Sequence, residues 1–140
     1  MFSSLDISTS AMVAQRTRMN VISSNIANMS TTHNEAGEAV PYQPRYVTFA
    51  TDSTLGTVEG ASGVQIASVE TANVEPRYKY QPGHPDAIQD GQWAGYVAYP
   101  DIDLTTEFVD ALEATRAYEA NVGVVEITKS IAQQTLRILA

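Results

Sequence analysis

Residues 101–140 read DIDLTTEFVDALEATRAYEANVGVVEITKSIAQQTLRILA, and this stretch decides the fold. From Leu104 to Leu139 it contains no proline and a single glycine, Gly123. Asp101, Asp103, Glu107 and Asp110 gather at its front and Lys129 and Arg137 lie toward its back, the charge order that suits a helix dipole. The spacing therefore predicts one long helix. Alternating steps of three and four from Phe108 reach Ala111, Thr115, Tyr118, Val122, Val125, Lys129, Ala132, Leu136 and Leu139, a mostly apolar stripe close to heptad spacing. A second stripe runs beside it through Ala117, Ala120, Val124, Ile127, Ile131 and Ile138. One packing partner covers one face, so an apolar arc this wide calls for partners on at least two sides.

The other end of the chain answers it. The same steps from Leu5 give Ser8, Met12, Gln15, Met19, Ile22, Ile26 and Met29, an amphipathic helix with a narrow seam of the coiled-coil type. The run Ser30-Thr-Thr-His-Asn34, with Gly37 and Pro41 beyond it, ends that helix. Between the helices, Tyr46–Phe49, Val64–Val69, Arg77–Tyr80 and Tyr96–Tyr99 are short β-branched or aromatic runs bounded by Gly and Pro, which predicts a small sheet. Ala50 to Gly63 is rich in Thr, Ser and Gly and reads as a mobile loop, while Pro82, Gly83 and Pro85 make a turn around His84. The expected fold is mainly α with a small β-rich central segment: the N- and C-terminal helices pair as an α-helical coiled coil, with short strands and loops between. Residues 1–30 and 101–140 would form the helical core and 31–100 a separate outer part.

A length of 140 residues, 44% hydrophobic and 17% charged, is that of one folded domain. The net charge of −8 without a cluster of Lys and Arg argues against nucleic acid and anionic lipid as partners. The charge is uneven, with +1 over residues 1–28, −5 over 29–100 and −4 over 101–140, so the amino-terminal helix is the segment that the rest attracts. Cysteine is absent, which excludes disulfides and thiolate metal sites. The amino terminus lacks a basic-then-apolar leader, so a cleaved signal peptide is not expected, and no run is long enough to insert in a bilayer.

Catalytic chemistry finds little footing. His33 and His84, each with an acid nearby in Glu35 and Asp86, lack the further regularly spaced ligands of a metal site. Capping and the helix dipole account for Asp101, Asp103, Glu107 and Asp110. Phosphate loop, dinucleotide fingerprint and nucleophile elbow are all missing, so neither enzyme nor cofactor is expected. Asn20, Asn25 and Asn28 at the end of the first helix, and Tyr118, Glu119 and Asn121 on the last, admit two readings: fraying and capping, or amides that bridge to a neighbouring helix and fix its register.

Ser24-Asn-Ile-Ala-Asn28 followed by Thr31-Thr32 resembles the amino-terminal signature of the flagellar rod, hook and hook-associated proteins. Pro82-Gly-His-Pro-Asp-Ala87, Gly95-Tyr-Val97, Pro100-Asp-Ile-Asp103 and Arg116-Ala-Tyr-Glu-Ala-Asn-Val122, with Lys129-Ser130 and Thr135-Leu136, are similar to the central and carboxy-terminal passages of the family's proximal-rod members, in the same order along nearly the whole chain. The resemblance implies a structural subunit of a hollow periplasmic drive shaft, exported without cleavage by the flagellum's own type III apparatus. Its partners would be copies of itself, other rod proteins, the basal-body ring and export-gate adaptor below and the distal rod above. The assembly interface would be built from Leu5, Met12, Met19, Ile22, Asn25, Ile26 and Asn28 on the first helix, and from Phe108, Leu112, Tyr118, Asn121, Val122, Val125, Ile131 and Leu136 on the last. Another rod subunit of the same superfamily, or a soluble helical adaptor or secretion chaperone that grips a partner's helix, is the alternative.

Overall fold

The computed structural model describes residues 2–55 and 60–139. Helix α1 spans Phe2–Ala27 and helix α2 spans Leu104–Leu139. At about 1.5 Å per residue, α2 is roughly 15 Å the longer of the two. Four strands lie between them: β1 Arg45–Asp52, β2 Gly63–Thr71, β3 Arg77–Tyr80 and β4 Tyr96–Tyr99.

The expected single sheet is instead two separate antiparallel ladders, β1 with β2 and β3 with β4. In the first, Arg45 stands opposite Thr71 and Asp52 opposite Gly63, with a bulge between Thr48 and Phe49. The strands thus take up both ends of the loop expected from Ala50 to Gly63, and a 3-10 turn follows at Ser53–Leu55. Residues 56–59 of that loop lie outside the described residues. Thr and Ser here serve as strand residues, since the Thr48 and Ser68 hydroxyls meet across the ladder at 2.6 Å. In the second ladder Arg77 faces Tyr99 and Tyr80 faces Tyr96. Gly95, at φ +80°, lets the chain turn into β4 where an added Cβ would come within 2.9 Å of the Tyr80 ring.

The helices run antiparallel. Asn25 of α1 reaches Glu107, Arg18 reaches Asp110 and Glu113, and Met19 lies against Thr115. By that register the start of α1 falls opposite the middle of the last third of α2, and the final turns of α2 run past it. Buried Ser8, Ala14, Ile22 and Asn25 on α1, with Ala114 on α2, form the seam. A second small nucleus, Ala87, Val97 and Ile102, sits under the β3–β4 hairpin where it leads into α2. Strand β2 docks on α1 through Ser10, whose Oγ accepts from the Val64 backbone N–H at 3.0 Å and donates to Ile7 O at 2.7 Å. Gly63 allows that approach, because a Cβ there would lie 3.0–3.1 Å from Leu55 and the Ser10 hydroxyl.

Candidate assembly interface

On α2, Glu107, Asp110, Glu113, Thr115 and Tyr118 meet α1 directly, and Glu107, Ala111, Ala114, Tyr118, Asn121, Val125, Thr128 and Ala132 form a line of half-buried or buried residues through them. This seam keeps heptad steps, but every second member differs from the stripe counted from Phe108. Hydrophobicity did not mark it because its amino-terminal half is made of small and polar side chains. Phe108 is 57% exposed, Leu112 52%, Ile131 51% and Leu136 67%, so none of the four is covered within this chain. Tyr118, Asn121, Val122 and Val125 are half-buried, as are Leu5, Met12, Met19 and Ile26 on α1, and Ile22 is buried. Tyr118 shares a shallow cleft with Thr9, Met12, Val13 and Arg16, and Thr115 Oγ1 donates to Met19 Sδ at 3.6 Å. Within the seam, Gln15 Oε1 is buried without a hydrogen-bond partner.

The asparagines divide between the two readings. Asn25, 2% exposed, bridges: its Nδ2 donates to Arg45 O at 2.8 Å and to Glu107 Oε1 at 3.0 Å. Its Oδ1 accepts from the Arg45 backbone N–H at 2.9 Å and the Tyr42 hydroxyl at 3.1 Å. One side chain thereby ties α1, the first residue of β1 and the first turns of α2. Asn28 stays local, donating to Ser24 O and accepting from Thr31 Oγ1 as the helix ends. Asn121 also stays on its own helix, donating to Ala117 O at 2.8 Å.

The acids before and within the start of α2 take up different tasks. Asp103 caps the helix, accepting the Thr105 N–H at 2.8 Å. Asp101 pairs with Arg77 at 2.7 Å, and Asp110 and Glu113 share Arg18 at 3.3 and 3.2 Å. Burial pushes the Glu107 carboxyl above the ordinary range; the Asn25 amide opposes this and the neighbouring Asp110 charge adds to it.

Two motifs far apart in sequence meet. Thr32, following the first helix, donates to Asp86 Oδ2 at 2.8 Å within the Pro82–Ala87 turn. His33 Nδ1 comes to 3.5 Å of the same oxygen, so the acid beside His33 is Asp86 rather than Glu35. His84 Nδ1 accepts the Asp86 backbone N–H at 3.1 Å, which makes it a turn-shaping residue. Tyr42, Arg45 and the Thr32–Asp86 bond carry no local sequence signal.

Among the described residues no group of three or more His, Cys, Asp or Glu is placed to hold a metal ion, and no helix is long and apolar enough to cross a membrane. The arrangement offers a clasped helix pair with large apolar side chains of α2 left uncovered.

Comparison with known proteins agrees with that picture. Residues 5–33 match the family described as flagella basal body rod protein, and residues 94–138 match the family described as flagellar basal body rod FlgEFG protein C-terminal. A flagellar basal-body rod protein FlgC of Borreliella burgdorferi is 37% identical, over 99% of this chain and 97% of its own. Those of Bacillus subtilis and Salmonella typhimurium are each 36% identical, over 98% and 95% of this chain and 97% and 93% of theirs. With the amino-terminal signature on α1, the central turn held against it and the carboxy-terminal passage on α2, the chain belongs to the FlgC family of flagellar basal-body rod proteins.

Proposed function

We propose that this chain is a structural subunit of the proximal part of the flagellar rod, packing with copies of itself and with other rod proteins into a hollow shaft that transmits torque and performs no catalysis. The observation that supports this most is the exposed apolar surface of α2: Phe108, Leu112, Ile131 and Leu136 are uncovered by the chain's own fold, as a subunit awaiting neighbours requires. Residues 1–30 and 101–140 form the inner, coiled-coil layer of the shaft and 31–100 stand outside it. The subunit reaches the periplasm through the flagellar type III export apparatus without a cleaved signal. It meets the ring and export-gate adaptor below and the distal rod above. Such a lattice is heterologous and does not close, so each subunit presents two different faces.

The test is Val122→Asp. A carboxylate on this half-buried position, at the edge of the seam, leaves the chain soluble but prevents rod assembly and swimming. Swimming at the normal rate would place the interface elsewhere on the chain. In dilute solution the helix ends of the monomer exchange amide hydrogen quickly, because isolated helix turns depend on packing for their stability.

A further inference from the structure

Asp90-Gly91 is the one place in the chain where glycine follows an aspartate or asparagine. It lies at the tip of the loop that leads into β4. Both residues are exposed, and Gly91 takes φ +93° with nothing within 4 Å of a Cβ added to it. The loop is closed at its base, where the Gly95 N–H donates to Ile88 O at 2.8 Å and the Ile88 N–H to Tyr96 O at 2.9 Å. Its far side is braced by the Ala94 N–H on Gly91 O at 3.3 Å and the Tyr96 N–H on Trp93 O at 3.0 Å. Between these braces the Asp90 carboxylate and the Gly91 N–H make no hydrogen bond or ion pair among the described residues.

A free carboxyl beside a free amide nitrogen is a reactive pair. The nitrogen of the following residue can attack Cγ of an aspartate and close a succinimide ring, provided that its N–H is uncommitted and no side chain of its own crowds the approach. Elsewhere the fold denies these conditions. Asp52 precedes the small Ser53, but its Oδ1 accepts the Thr54 hydroxyl at 2.6 Å and the Thr54 N–H at 2.9 Å. Those bonds hold its carboxyl below the ordinary range, and so in the ionised, unreactive form. Asp86 is held by Thr32, and the Ala87 N–H that would attack it donates to His84 O at 3.1 Å. Behind Asn73, the Val74 N–H is taken by Gln43 Oε1 at 3.3 Å.

We propose that Asp90-Gly91 is a site of self-modification, at which the backbone rearranges through a succinimide to isoaspartate and unseats Trp93. The Gly91 nitrogen forms a bond to Asp90 Cγ; the Cγ–OH bond breaks, and the hydroxyl leaves with the amide proton as water. Water then adds to the ring. Opening at Cγ restores aspartate, whereas opening at the Asp90 main-chain carbonyl leaves the chain running through the side chain, one methylene longer, with a free carboxylate on Cα. No oxidant or cofactor enters, and nothing in this chemistry depends on the rod reading. Trp93 stacks on Tyr78 with ring centres 4.2 Å apart and planes 7° apart, and meets Tyr96 edge-on at 5.5 Å. A methylene inserted just before it, in a loop tied off at Ile88 and Gly95, displaces that stack.

The full-length chain is kept folded at neutral pH for several weeks, methylated with labelled S-adenosylmethionine by protein isoaspartate methyltransferase, and mapped by peptide mass spectrometry. Label is expected at residue 90, about tenfold above that at any other aspartate or asparagine, since glycine alone leaves its own nitrogen unhindered. Trp93 is the only tryptophan, so its emission follows the same event and moves to longer wavelength as the ring leaves Tyr78. Asp90→Glu, which needs a larger ring, removes both signals; Asp90→Asn, which loses ammonia more readily than aspartate loses water, hastens them. In urea the label at residue 52 rises, because the Thr54 bonds are gone, while that at 90 changes little. Absence of label at 90 in the folded chain, or equal label at 52, overturns the proposal. So does a rise of about tenfold at 90 on unfolding, because the turn is then guarding the site. Label at 90 with unchanged emission overturns the displacement of Trp93.

Discussion

Asn25→Ala removes the bridge between three elements at once. The side chain makes four hydrogen bonds, two to Arg45 backbone, one to the Tyr42 hydroxyl and one to the Glu107 carboxylate. At about 1 kcal/mol net for each neutral bond and somewhat more for the charged one, the direct loss is about 4–5 kcal/mol. Two features reduce it. Arg45 is exposed, so water reaches its backbone groups once the amide is gone, and Tyr42 keeps its contact with Ser24 at 3.3 Å. We therefore expect about 2–4 kcal/mol, a large fraction of the roughly 5–15 kcal/mol of an ordinary domain. Urea unfolding followed by far-ultraviolet circular dichroism measures it as a fall in midpoint of about 1–2 M at an m-value of about 2 kcal/mol/M. Ser24→Ala, which loses only the Tyr42 contact, serves as the control and costs under about 1 kcal/mol. If Asn25→Ala costs no more than Ser24→Ala, the amide is not the element that holds β1 and α2 to the end of α1. Asn25→Asp tests the same geometry differently. It keeps the acceptor for Arg45 N–H but sets a second carboxylate beside Glu107, so its deficit grows as pH rises past the carboxylate range and shrinks on acidification.

Further outcomes follow from single groups. Because the folded chain holds the Glu107 proton more tightly than the unfolded one, that group favours folding below the unfolded carboxylate pKa, and the contribution is lost as pH rises through the folded value. Glu107→Gln should thus gain on the parent chain from about pH 4 toward 7, given an ordinary glutamate near 4.3; a gap that is flat or narrows over that window refutes the sign. Gln15→Leu removes a buried acceptor that has no partner and should raise stability by about 1 kcal/mol, read as a higher urea midpoint. Gly123→Ala should stabilise the isolated chain by about 0.5–1 kcal/mol, since the added methyl meets nothing in this fold. The same variant should swim poorly if the outer face needs bare backbone there, and normal motility would show that no neighbour comes close at that point.

What the sequence revealed and what it hid divide along a physical line. Periodicity and end signals located both helices to within three residues at either end, and β3 and β4 at their observed bounds, because those signals are local. The seam of α2 departs from the stripe counted from Phe108 because hydrophobicity ranks Phe108 above Glu107 and Val122 above Asn121, whereas packing against α1 favours small side chains and a clasped carboxylate. The β1–β2 ladder was read short, since Thr, Ser and Gly signal a loop until a partner strand is known to pair with them. Of the interface residues, Asn25 stood out by its chemistry. Its contacts with Arg45 and Tyr42, and the Thr32–Asp86 bond, join segments with nothing in their local pattern to link them.

The misplaced stripe also explains how the molecule divides its free energy. The fully buried residues of the two helices are two alanines, a serine, an asparagine and Ile22, joined by ion pairs, which set register and direction but bury little apolar surface. The large aliphatic side chains of α2 are turned outward, and each adds about 1.5–3 kcal/mol only when a neighbour covers it. A subunit packed the other way, with Leu112, Ile127 and Ile131 against its own α1, would be a more stable monomer with little reason to polymerise. On the rod reading, the polar clasp at Asn25 and Arg18 holds the pair in one register while the main hydrophobic gain is reserved for assembly. Exchanging the two roles, by Glu107→Leu on the inner seam with Ile127→Glu and Ile131→Glu outside, should give a chain that is more stable alone and absent from the shaft.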